Sequence, residues 1–152
     1  MRHFSIICLC GILLTGCSST RNEESYSSGN TLIDLYDGTV ELPGGFTHTN
    51  GKGIDSFVGH FTLSDEKLVI SYDIGINASV AALHPEGKIL SSTNVTVNGL
   101  TAIIVTTQLN GVKHAIVSFP NGGPANFFAA IRNNSDLELV KKLSLSYRLK
   151  LK

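Results

Sequence analysis

Apolar and polar positions alternate along much of this chain, and the places where the alternation fails divide it into elements. Leu68, Ile70, Tyr72 and Ile74 recur at every second position, which puts them on one face of a strand over 68–76. Further on, 94–97, 100–109 and 112–119 are rich in β-branched residues and are separated by Asn98-Gly99 and Asn110-Gly111. Asn-Gly accepts positive φ at both central positions of a type I′ turn, whose twist matches the flanking strands. These runs predict an antiparallel meander, with 126–131 as a fourth strand after a turn at Asn121-Gly122-Gly123-Pro124. Shorter runs predict strands over 39–42, 54–63 and 80–83.

Beyond 131 the period changes. Ser135 is the expected helix N-cap, with Glu138 three places on as its capping-box partner. Leu137, Val140 and Leu143 fall on one helical face with Leu139 beside it, and Lys141 and Lys142 suit the negative end of the helix dipole. Leu145, Tyr147, Leu149 and Leu151 then alternate with polar residues, which predicts a terminal strand, with a continuing helix as the alternative. The expected fold class is α+β: an antiparallel β-sheet meander with a C-terminal helix packed on one face.

Two stretches, 43–53 and 120–124, carry glycine and proline among polar side chains and read as flexible loops. Loops on a rigid sheet are where binding sites concentrate. The expected contacts are Phe46 as an apolar anchor and Lys52 as a charge, because aromatic and basic groups often dominate interface energetics; the alternative for Phe46 is a core residue that starts a strand.

The N-terminal pattern is of another kind. Phe4 to Leu14 is an almost unbroken apolar run behind Arg2 and His3. A helix needs about 20 apolar residues to span a bilayer, so this run has the layout of a secretory signal. Ser18 to Asn30 is polar and serine-rich and reads as a tether, with an end-to-end distance of roughly 20 Å if flexible. Between them lies Leu14-Thr15-Gly16-Cys17, which resembles the lipobox of bacterial lipoproteins. Cys8 and Cys10 have no small residue directly before them, so Cys17 is the better acceptor. The resemblance implies cleavage before Cys17 and a diacylglycerol thioether on its sulfur, usually with a further acyl chain such as palmitate on its amine. It also implies a cell-envelope location. Ser18 in place of Asp implies the outer membrane, facing the periplasm, if the cell is Gram-negative. The expected organisation is a signal peptide over 1–16, a lipidated Cys and tether over 17–30, and one α+β domain over 31–152.

Removal of 1–16 takes Arg2 from the 12 basic residues and leaves 11 against 12 acidic ones. That balance lacks the basic footprint of a nucleic-acid binder. Cys8 and Cys10 leave with the signal, so no intramolecular disulfide is expected. His48, His60, His84 and His114 show no metal-ligand spacing, and zinc needs three or four converging ligands. Convergence of His48, Asp55, His60 and Asp73 is the one metal arrangement the spacing leaves open. Ser56 has a bulky residue on each side and no following helix, unlike a nucleophile elbow. Gly51-Lys52-Gly53 lacks phosphate-loop spacing. Five basic residues between Lys141 and Lys152 form either a surface for anionic headgroups or a solvated face that protects a strand edge.

The order of elements, with Leu42-Pro43-Gly44-Gly45-Phe46, Val97-Asn98-Gly99 and residues 136–143, resembles the PsbP/Mog1-like superfamily over about 110 residues. Residues 145–152 depart from its pattern. The resemblance implies a binding or assembly protein without catalysis. The expected function is therefore a lipid-anchored, non-enzymatic module that binds another envelope protein, with no cofactor and no metal. The alternative is an immunity or inhibitor lipoprotein that neutralises a toxic or lytic enzyme, and a hydrolase comes third.

Overall fold

The structure is a computed structural model and describes residues 24–25, 29–53, 56–64, 68–75, 85–121 and 125–150. In chain order the elements are β1 (Glu24–Ser25), β2 (Thr31–Asp34), β3 (Gly38–Leu42), β4 (Phe46–Lys52), β5 (Phe57–Leu63) and β6 (Leu68–Ile74). Then come β7 (Lys88–Val97), β8 (Leu100–Leu109), β9 (Val112–Phe119), β10 (Ala125–Ile131), α1 (Asn134–Ser144) and β11 (Arg148–Leu149). Both Asn-Gly pairs take the predicted backbone, with φ of 52° and 75° at Asn98 and Gly99 and of 51° and 82° at Asn110 and Gly111. They join β7 to β8 and β8 to β9, and all three strands pair antiparallel.

The strands form an eight-stranded sheet in the order β1-β4-β5-β6-β10-β9-β8-β7 and a three-stranded sheet in the order β11-β3-β2. The joint between the two halves of the large sheet is β6 against β10, with Tyr72 opposite Phe127 and Ile74 opposite Ala125. The registers align the alternating positions of every strand. Phe46, Phe61, Ile70, Tyr72, Phe127, Val117 and Ile104 therefore lie on one face and are all buried. Val40 and Leu42 of β3 and Val140 and Leu143 of α1 belong to the same buried cluster. The mixture of an antiparallel sheet with one helix is an α+β architecture, as expected.

The helix starts differently from the expectation. Its N-cap is Asn133, not Ser135, and the Asn133 side chain accepts from Asp136 N at 2.9 Å. Asp136 then reaches back, accepting from Arg132 N at 2.8 Å and from Arg132 Nε and Nη2 at 2.9 and 3.1 Å. Asp136 is fully buried, and the Arg132 guanidinium holds its carboxyl below the usual carboxylate range. The terminal alternation is also only part of the answer. Leu145 N and Ser146 N still bond to helix carbonyls, so the strand is confined to β11. Tyr147 is buried against Phe119 and Phe127, and its hydroxyl donates to Asp37 Oδ1 at 2.7 Å.

Two further expectations need correction. The stretch 43–53 is not a flexible loop: after Pro43 it turns directly into β4, which pairs with β5 from Phe46–Leu63 to Lys52–Phe57. The expected tether contains β1, whose Glu24 and Ser25 pair with His48 and Thr47. The expected strand at 80–83 lies outside the described residues.

Candidate functional site

β4 carries three alternating side chains on the core face: Phe46, His48 and Asn50. Phe46 is 1% exposed, so the expected surface anchor is a core residue. The cause is its place at the first position of β4, opposite Leu63, where the strand's inward face begins. Lys52 ends β4, and its side chain is outside the described residues, as is all of Cys17.

His48 is 7% exposed and stacks on Phe61 with ring centroids 4.9 Å apart. Its Nε2 lies 3.0 Å from Tyr72 Oη, and Tyr72 Oη donates to Asn50 Oδ1 at 2.8 Å. Because the tyrosine hydrogen is committed to Asn50, this pairing is satisfied when His48 Nε2–H donates to Tyr72. Burial lowers the His48 pKa from 6.5 to about 4, with a further lowering from the charge of His60, so the ring is neutral at neutral pH. Burial likewise raises the Tyr72 phenol above its ordinary range. Position 59, on the neighbouring strand, has to be glycine: a Cβ there would overlap Tyr72 Oη and the Thr49 carbonyl oxygen. The result is a polar relay that runs from the interior to Asn50, which is exposed. It fixes the Asn50 amide and contains no activated nucleophile.

The opposite face of the same strands is exposed at Val69 and Phe128 and buried at Asn126 and Ser118. Thr49, His60, Ser71 and Phe128 form one row across β4, β5, β6 and β10. The adjacent row is Gly51, Val58, Asp73, Asn126 and Ser118. Between these rows lies a shallow cavity of about 480 Å³, whose lining includes Asn50, His60, Ser71, Asp73 and Phe128. Phe128 is 44% exposed, and Val69 on the same face is exposed as well. Behind the cavity, Ser118 Oγ donates to Asn126 Oδ1, and both residues are buried. Asp73 Oδ1 is buried and has no hydrogen-bond partner among the described residues.

The metal arrangement left open by the spacing does not assemble. His48 faces the core, whereas His60 and Asp73 face outward, and Asp55 is outside the described residues. Among the described residues, no three His, Cys, Asp or Glu side chains are grouped closely enough to hold a metal ion. Ser56 sits in a tight turn in which its carbonyl accepts from Gly53 N at 3.0 Å. Three of the five basic C-terminal residues are paired with acids: Lys141 with Glu138, Arg148 with Glu41 and Lys150 with Asp34. Two of those acids come from β2 and β3, distant in sequence, which is why the segment alone looked unopposed. Among the described residues, no helix is long and apolar enough to cross a membrane.

Compared with family models, curated proteins and solved structures, the chain matches none.

Proposed function

We propose that this protein is a lipid-anchored module of the bacterial cell envelope that binds another envelope protein without catalysing a reaction. The lipobox-like Leu14-Thr15-Gly16-Cys17 supports the anchor and the location. In this reading β7 to β10 act as an antiparallel meander whose core face α1 covers, and the partner takes the exposed part of the other face around Phe128. The observation that carries the reading is Phe128. A large aromatic ring, 44% exposed in the middle of a sheet, stands beside a cavity lined by His60, Ser71 and Asp73. An aromatic anchor with a polar surround is the composition of an interface hot spot. The relay below fits the same role, because it holds Asn50 rigid at the cavity rim and lowers the ordering cost of binding.

The test is site-specific photo-crosslinking in intact cells. A photoreactive phenylalanine analogue replaces Phe128 in one strain and Leu32, exposed on β2, in another. The expected result is one discrete adduct from position 128 and none from position 32. Absence of an adduct at 128, with the protein present at normal level in the membrane fraction, would remove the binding face from this surface. An adduct with a toxic or lytic enzyme would favour the inhibitor reading.

A further inference from the structure

We propose that β7 is a dimerisation edge, along which a second copy of this chain pairs antiparallel about a two-fold axis to make one continuous sheet. β7 ends the eight-stranded sheet, with β8 on one side and, among the described residues, no strand on the other. Of its ten residues only Val95 and Val97 are even partly buried, and Ile89 and Leu90 are 53% and 41% exposed. A strand in this place presents a row of unpaired N–H and C=O groups, and monomeric proteins protect such edges with charge, proline, a β-bulge, short length or a covering loop. β7 has almost none of these. After Lys88 it runs Ile-Leu-Ser-Ser-Thr-Asn-Val-Thr-Val, nine residues without a charge, a proline or a glycine. The register shift between Ile89 and Ser91 leaves 91–97 as the regular stretch.

That stretch is complementary to itself. With the two-fold axis at Asn94, Ser91 faces Val97, Ser92 faces Thr96, Thr93 faces Val95, and the two Asn94 amides meet, each able to donate and accept. The β-branched pairs formed in this way are the kind that stabilise antiparallel sheets. Val95 and Val97 already pack against the core, so the pairing joins the two cores along the same face. The two Lys88 side chains fall at opposite ends, where they do not repel each other. A partner strand selected by charge finds nothing to read here, whereas a second copy meets no penalty. The far edge of the sheet is partly covered by the chain itself, through β1 on β4. An isologous pairing through β7 uses both open edges and stops at two copies.

The experiment uses the full chain, purified in detergent, with its protein mass determined by light scattering across a micromolar concentration series. The expected mass is twice that of one chain. The double substitution Ser92→Lys with Thr96→Lys, both at exposed positions, places like charges directly opposite each other across the proposed pair, so it halves the mass and leaves the chain folded. Mild oxidation of Asn94→Cys gives a covalent dimer, since facing Cα atoms about 4.5–5.5 Å apart suit a disulfide. The same treatment of the unsubstituted chain and of Val112→Cys, exposed on β9, gives none. A wild-type chain of single mass, a larger open-ended assembly, or a dimer unaffected by the double lysine substitution would each overturn the proposal. These readouts do not depend on the surface around Phe128.

Discussion

The relay under β4 makes acid stability depend on one histidine. The folded state holds His48 neutral, with a pKa of about 4, whereas an unfolded chain leaves it near 6.5. Between those values the unfolded state binds a proton that the folded state refuses, so stability falls as the pH falls. The contribution is complete above pH 6.5 and is lost progressively toward pH 4. With a difference of about 2.5 units at 1.36 kcal/mol each, the full loss is about 3 kcal/mol, of which about 2 kcal/mol is gone by pH 5. His48 is buried, so solvent screening does not remove this coupling. His48→Gln is the informative variant: its amide NH₂ replaces Nε2–H as donor to Tyr72 Oη and does not titrate. Urea denaturation at pH 7, 6 and 5 should show the wild-type chain losing about 2 kcal/mol more than the variant over that range. The other histidines are common to both proteins and cancel in the difference. Parallel losses in the two proteins would refute the reasoning, as would a wild-type chain that gains stability toward pH 5. His60→Gln removes the nearby charge that helps to depress His48, so it should reduce the acid loss.

Replacing Cys17 with Ser should block lipidation and move the protein out of the detergent phase on Triton X-114 partition; unchanged partition would refute the anchor. Gly59→Ala and Gly99→Ala separate two reasons for glycine. At 59 the added Cβ strikes Tyr72 Oη and should cost about 3 kcal/mol or more, while at 99 the space is open and only the positive φ opposes it, about 1 kcal/mol by thermal or chemical denaturation. Asp136→Ala removes the fully buried carboxylate that accepts from Arg132 N and its guanidinium and should cost about 2 kcal/mol in the same assay, with Asp136→Asn recovering part of it.

The parts of this fold that the sequence revealed are those in which local chemistry decides alone. The two Asn-Gly turns set the limits of β8 and β9 to the residue, because positive φ at both positions admits few other solutions. β6 was legible because Leu68, Ile70, Tyr72 and Ile74 alternate on its buried face. β4 was not, because one face bears Phe46, His48 and Asn50 and the other bears Thr47, Thr49 and Gly51. No apolar alternation marks a strand whose inward face is a polar relay and whose outward face lines a cavity. The candidate site stayed hidden for that reason, since its anchor, Phe128, meets Ser71 only through the pairing of β6 with β10. The helix cap was misplaced at Ser135, because the bond from Asp136 N to the Asn133 side chain and the Asp136–Arg132 contact, which fix the start at Asn133, are not announced by residue type. β7 began earlier than expected because Leu90-Ser91-Ser92-Thr93 lacks alternation and follows a bulge.

The pairing of β1 with β4 has a geometric consequence under the proposed anchoring. Six residues separate Cys17 from Glu24, so this leash reaches at most about 25 Å, and it attaches at one margin of the large sheet. Seven interstrand spacings of about 4.8 Å place β7 roughly 34 Å from β1 along the hydrogen-bonding direction. The bilayer therefore holds the sheet by one side, like a flag fixed along its hoist, and β7 is the fly end. Width of the sheet, more than length of the linker, sets how far from the lipid surface that free margin can meet another molecule.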